Sequence, residues 1–160
     1  PKALKLFTGL GVYSEVELYA RNEVKWEIYT KKIQIESRVI GRMAINHIIP
    51  TALTYQRRLL KQISLMKDVF DDSYKTMAGV EIGLVREISS LVTEINSRVD
   101  AMVEARKRAN NIEDKYKQAK AYHSVAEAVL ELRTPIDKLE EIVDNDIWPL
   151  PKYRELLFIN

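Results

Sequence analysis

The stretch Leu84 to Met102 reads LVREISSLVTEINSRVDAM, and its pattern decides the fold. Leu84, Ile88, Leu91, Ile95, Val99 and Met102 advance by fours and threes. Their average step of about 3.6 residues is the period of a straight α-helix with one buried side. Neither Gly nor Pro interrupts the stretch. Its helix is expected to end near Asn110-Asn111. From Glu104 to Lys117 most side chains are charged or polar, with Glu104–Arg108 and Glu113–Lys117 at the four-residue spacing that supports exposed helix. A solvated hairpin tip is expected there.

Beyond the tip the pattern returns, with Val125, Val129, Leu132, Ile136, Leu139 and Val143 in alternating steps of four and three, as in a coiled-coil seam. Thr134-Pro135 interrupts it. Either the helix kinks at Pro135, or a new one starts there with Thr134 as its cap and Pro135 at the first helical position. After Asn145, Ile147-Trp148-Pro149-Leu150-Pro151 is expected to be extended, because a residue before proline avoids the helical region. A final turn from Lys152 to Phe158 follows.

On the N-terminal side, Asp71-Asp72-Ser73 is a cluster of helix-capping residues that marks the turn into the Leu84–Met102 helix. Upstream of it, Ala52, Leu59, Ile63, Met66 and Phe70 share one helical face. Pro50 lacks an amide proton and crowds the preceding turn, so a kink or brief break is expected. From Glu15 to Ile49 there is no Pro and no paired Gly, so one helix roughly 50 Å long is expected. It carries two apolar stripes, one of Trp26, Tyr29, Ile33, Ile40, Ala44 and Ile48, the other of Ile28, Ile35 and Val39, which implies burial on two sides. Ser14-Glu15-Val16-Glu17 is a capping box that starts it. Residues 2–10 form a short helix closed by Gly9 and Gly11, which can take the positive φ that ends a helix.

The expected architecture is all-α: residues 1–160 as one helical domain, an antiparallel bundle of three to four long helices, the first kinked at Pro50. A chain of 160 residues can bury about 70% of its unfolded surface. Only 5 Gly and 5 Pro are present, too few for the corners of a β-sandwich or barrel. The 25 basic and 23 acidic residues nearly cancel, so no global field favours nucleic acid or an anionic membrane. With no cysteine, disulfides and thiolate chemistry are excluded, and a cytoplasmic setting is the simplest fit. No apolar run approaches the ~18 to 20 residues of a membrane span. The chain begins at Pro1 without an initiator Met, as expected of a piece of a longer protein.

Chemistry is hard to find. Di-metal bundles use Glu-x-x-His pairs, but Ala44 stands three residues before His47 and Lys120 three before His123. His47 is instead expected to satisfy backbone carbonyls freed by Pro50. Gly9-Leu10-Gly11 is not followed by the Lys-Ser/Thr of a phosphate loop. The acidic pairs Asp71-Asp72, Glu140-Glu141 and Asp144/Asp146 fit helix ends or solvated faces, and Arg106-Lys107-Arg108 fits a solvated tip. Tyr116 and Tyr122 are six residues apart, about 240° around a helix after one full revolution, so they do not form one stacking face. Trp148 is expected to plug the bundle end. No catalytic, cofactor-binding or metal residue is therefore assigned in this chain.

Two sets of motifs carry a resemblance. Gly11-Val12-Tyr13-Ser14-Glu15-Val16-Glu17-Leu18 with Arg21, then Ile33-Gln34-Ile35-Glu36, then Ile48-Ile49-Pro50-Thr51-Ala52-Leu53 with Tyr55-Gln56, form the first; Leu132-Arg133, Asp137, Leu139-Glu140 and the closing Trp148-Pro149-Leu150-Pro151-Lys152-Tyr153-Arg154-Glu155-Leu156-Leu157-Phe158 form the second. The chain resembles the C-terminal helical region of type III glutamine synthetases. Residues 67–118 agree only as generic helix, Pro135 interrupts a helix expected to be continuous, and Thr51 stands where a small Ala is expected.

The resemblance implies a parent enzyme that uses ATP and Mg²⁺ to join glutamate and ammonia, with its nucleotide and metal sites upstream of this chain. It implies that this segment serves structure and assembly, with its own catalytic domain and neighbouring subunits of a homo-oligomer as partners, and no nucleic acid or membrane. A free-standing helical module that receives a partner helix is the alternative.

Overall fold

The computed structural model describes residues 2–157, apart from the side chains of Tyr153 and Arg154. Helix α1 spans Lys2–Gly9 and ends where expected. Gly11 adopts φ +66°, its N–H donates to the Thr8 carbonyl and the Val12 N–H to that of Phe7, the paired bonds of a glycine-terminated helix. Ser14 then begins α2 (Glu15–Met43) through the expected reciprocal bonds, Glu17 N–H to Ser14 Oγ at 3.3 Å and Ser14 N–H to Glu17 Oε2 at 2.9 Å.

The interruption at Pro50 takes the form of a π-helical turn, Ala44–Ile48, after which α3 (Ile49–Phe70) continues the same rod. The N–H of Ile49 reaches back five residues to the Ala44 carbonyl. Pro50 has no N–H to offer, so the Ile45 carbonyl is passed over by the backbone ladder. The wider turn also does positional work. Ala44, Ile48 and Ala52 follow one another at steps of four and are all buried. Steps of four overshoot an α-helical turn by about 40° each, and a π-turn takes up the excess.

A 3₁₀ turn (Asp71–Ser73) and the short α4 (Tyr74–Met77) lead into α5 (Gly79–Asn110). The turn falls where the acidic cluster indicates, but capping does not build it. No side chain caps these helices; Ser73 Oγ instead donates to the Phe70 carbonyl at 2.6 Å. Asp71 holds φ 45°, a strained value for a side chain with a Cβ. Phe70, expected on the packed face, is exposed, because the end of α3 runs past the bundle.

Helix α6 (Lys115–Ile142) starts at Asp114, whose carboxylate accepts from Lys117 N–H at 2.7 Å. Pro135 lies inside this helix, buried, so the sequence neither restarts there nor uses Thr134 as a cap. Residues 143–152 are non-helical, although 145–147 form a turn, closed by Trp148 N–H on the Asp144 carbonyl, where an extended strand is expected at Ile147. Helix α7 (Tyr153–Leu157) completes the described chain, and Phe158 lies outside the described residues.

Three rods result. The α2–α3 rod runs up, α5 runs down against it and α6 runs up again. The order is fixed by contacts: Gln62 with Glu81, Gln56 with Ser89 and Gln34 with Asn110 pair the first rod to α5 in opposite directions, and Arg98 with Glu131 joins α5 to α6. The shared core holds Ile48, Ile88, Ile95, Met102, Val125, Leu132 and Leu139, which are positions the periodicity marks, and also Tyr122, which it does not. Gly41 lets α2 approach α5 closely, since a Cβ there would lie 3.2 Å from Met102 Cε.

Candidate interaction surface

Helix α2 packs with one side only. Ile33 and Ala44 of its first stripe are buried, as are Thr30, Ser37 and Gly41 beside them. Opposite them stand Val24 (53% exposed), Ile28 (62%), Ile35 (62%) and Val39 (49%). At 100° per residue these four fall within about 60° of arc, roughly diametrically across from the packed side. Among the described residues nothing covers that face, so the expected burial on two sides is realised on one. Four aliphatic side chains aligned in water represent about 1.5–3 kcal/mol each of unclaimed burial.

Parts of the two motif sets, about a hundred residues apart in sequence, meet midway along the rod, where α6 ends. Asn46, His47, Pro50, Thr51 and Thr54 from the π-turn and α3, with Ile147 and Pro149 from the closing segment, line a shallow cleft of about 210 Å³. Trp148 is buried against the core and seals this end, as its proline-flanked position suggests. Lys152, also buried, sends its Nζ to the carbonyls of Glu140 and Val143 and lies 5.8 Å from the Trp148 ring. An ammonium on the last carbonyls of a helix satisfies acceptors that have no intrahelical donor and complements the helix dipole. The closing motif therefore works as a C-terminal cap for α6.

The remaining candidates resolve into structure. His47 is exposed and, among the described residues, donates to none of the freed carbonyls, because the π-turn opens outward at that point. His123 meets Tyr29 Oη at 3.5 Å and Glu127 at 3.7 Å on the surface. Among the described residues no three His, Asp or Glu gather into a group that could hold a metal, so the donor set does not fit the Mg²⁺ that the resemblance implies for the parent. Asp144 pairs with Arg58 at 3.7 Å and accepts from Asp146 N–H. At the tip, Glu104 pairs with Lys107 at 2.7 Å rather than with Arg108. Tyr116 rests on Trp26 with ring centroids 5.2 Å apart, whereas Tyr122 is buried with its hydroxyl donating to Asn110 Oδ1 at 2.6 Å; the two point apart as their spacing requires.

Some groups escape sequence reading. Arg98 Nη1 donates to the Glu131 carbonyl at 2.8 Å, the acceptor that Pro135, four residues on, leaves without its α-helical donor. Arg38, Arg42 and Arg106 line one cleft between α2 and α5. A sequence signal for these three exists: none has an acidic residue three or four positions away on its helix.

No helix among the described residues is long and apolar enough to cross a membrane. Comparison with known proteins agrees with the motifs. Residues 1–67 match the family model described as the glutamine synthetase C-terminal domain. Over 152 residues the chain is 48% identical to a glutamine synthetase of Bacteroides fragilis, covering 94% of this chain and 21% of that protein. It is 29% identical over 166 residues to the type-3 glutamine synthetase of Dictyostelium discoideum, with 99% of this chain and 22% of that protein covered. A glutamine synthetase of Butyrivibrio fibrisolvens is 27% identical over 98% of the chain. The chain thus spans about a fifth of the length of these relatives. Over nearly all of its own length this helical chain, bearing both motif sets, is related to glutamine synthetases, a type-3 enzyme among them, and its first 67 residues match the model of their C-terminal domain.

Proposed function

We propose that this chain is a structural and assembly module of a cytoplasmic ligase. The parent catalyses the ATP- and Mg²⁺-dependent amidation of glutamate by ammonia, and this segment carries no catalytic residue. Its task is to bury surface between the catalytic part of its own subunit and neighbouring subunits of a homo-oligomer. One observation carries the reading: the outward apolar face of Val24, Ile28, Ile35 and Val39, set against a chain that covers only about a fifth of its relatives' length. A helix with apolar faces on opposite sides suits a position between two bodies. Closed symmetric assemblies need such surfaces on each subunit.

The test uses the longer protein with Ile28→Asp and Ile35→Asp together. Sedimentation velocity is expected to reveal smaller species and glutamine formation to fall. The same pair in the 160-residue chain should leave its helical circular dichroism unchanged, because both side chains are already in water there. Unchanged assembly and activity would count against the proposal, as would glutamine formation by the chain alone.

A further inference from the structure

The cleft between α2 and α5 has a volume of about 450 Å³, within the range of roughly 300–1,000 Å³ typical of small-molecule sites. Arg38 and Arg42 stand on its α2 side and Arg106 on its α5 side. Ser37, Gly41, Val99 and Val103 form the rest of the wall, with Ile45 and Asn46 at the π-turn. Among the described residues no carboxylate lies within ion-pair distance of any of the three guanidinium groups. The acidic groups of this part of α5 are engaged elsewhere: Asp100 accepts from Asn96, and Glu104 holds Lys107.

The sequence accentuates the charge. Arg38 and Arg42 are four residues apart on α2, a like-charge spacing that destabilises an isolated helix. Elsewhere on the same helix the pairing is complementary, as in Lys31 with Glu27 and Lys32 with Glu36. The field reaches inward as well, since the charges of Arg106 and Arg38 both act on the buried Tyr122 hydroxyl. Three guanidinium groups facing one concavity, unpaired, are a receptor for an oxyanion: a planar fork of N–H donors matches phosphate oxygens two at a time. The apolar wall of Val99, Val103 and Ile45 leaves room for an organic body beside the anion.

We propose that this cleft binds the phosphate group of a small phosphorylated molecule, held by Arg38, Arg42 and Arg106. None of Val24, Ile28, Ile35 and Val39 lines this cleft, although Arg42 projects along the same side of α2 as they do. Titration separates the two sources of the phosphate, free or attached to an organic group. The ¹⁵N-labelled 160-residue chain is titrated at ~150 mM salt, where unspecific surface attraction is screened, with inorganic phosphate, with adenosine 5′-monophosphate and with a hexaglutamate peptide.

Saturable shifts confined to amides of residues 37–46 and 99–106, with a Kd below about 1 mM for at least one phosphate probe, are expected. Tighter binding of the monophosphate assigns the organic source; equal binding assigns free phosphate. The pair Arg42→Gln and Arg106→Gln should weaken binding by about tenfold or more, as loss of two charge-assisted contacts requires. The pair Lys31→Gln and Lys32→Gln should leave it unchanged. Absence of saturation, equal weakening by the lysine pair, or hexaglutamate binding more tightly than either phosphate probe would overturn the proposal, the last in favour of an acidic polypeptide as occupant.

Discussion

Single residues here repair what prolines break. Pro135 sits inside α6 and deprives the Glu131 carbonyl of its α-helical donor; Arg98 reaches across from α5 and donates to that oxygen at 2.8 Å while also holding Glu94 at 2.7 Å. Arg98→Ala should therefore cost about 1–2 kcal/mol in urea unfolding. In a Pro135→Ala background, where residue 135 regains an N–H, the same change should cost roughly half as much or less, a coupling that a double-mutant cycle reads directly. Equal costs in both backgrounds would contradict the repair.

Tyr122 offers a second test at this scale. Burial pushes its hydroxyl above the usual tyrosine range, with the charges of Arg106 and Arg38 acting partly against that rise. The folded-state pKa thus lies above the unfolded value of about 10, so this contribution is fully present below pH ~10. It is lost as the pH climbs through the folded value. Urea midpoints should fall above pH ~10, and Tyr122→Phe should lessen that fall while removing the bond to Asn110. A fall of equal size in the Phe variant would show that Tyr122 is not its source. At the chain's exposed capping box the sign is reversed: backbone bonding to Ser14 holds the Glu17 carboxyl low, so that contribution fades on acidification.

At the scale of elements, whatever depends on near neighbours was legible in the sequence. The seams of α5 and α6, the Gly11 stop and the Ser14–Glu17 box follow from spacings of three and four residues, and all stand as read. What depends on a distant partner was not legible. Pro50 and Pro135 carry the same local penalty, yet one is met by a π-turn and the other by an arginine from another helix. Local pattern likewise could not bring Arg106 of the tip to Arg38 and Arg42, nor fold Lys152 back onto the end of α6. The acidic cluster at 71–73 marked a turn correctly but suggested the wrong bonds for it.

The π-turn has a consequence that can be measured. It keeps Ala44, Ile48 and Ala52 on the buried side although they step by four. Inserting one Ala after exposed Asn46 would add a residue beyond the excess that the π-turn takes up, and turn everything beyond it by about 100°. Ala52 and Leu59 would leave the core. Thermal unfolding should then occur at markedly lower temperature, whereas Asn46→Ala should shift it little. Similar melting of the insertion and the substitution would sink this account of the turn.

Across the whole molecule, the bundle is closed where α2, α5 and α6 face one another and open where α2 faces outward. Val24, Ile28, Ile35 and Val39 repeat the spacing of a packed stripe without a partner among the described residues. The end of α3, the short α4 and the start of α5 add Leu65, Val69, Met77 and Val80, all exposed. A globular domain that ended at its own surface would seldom spread so much aliphatic area in water. The relatives that the chain matches are about five times its length, and the proposed assembly role would set the rest of such a protein against this face.

The absence of cysteine from this chain allows that face to be probed with one introduced thiol. Ile28→Cys is placed in the 160-residue chain and in the longer protein, and the rate of maleimide labelling at residue 28 is compared under native conditions. The account predicts fast labelling in the chain alone and labelling slower by about tenfold or more in the longer protein, as local opening of a buried site would require. Equal rates would mean that the outward face of α2 stays in water, which contradicts its role as an interface.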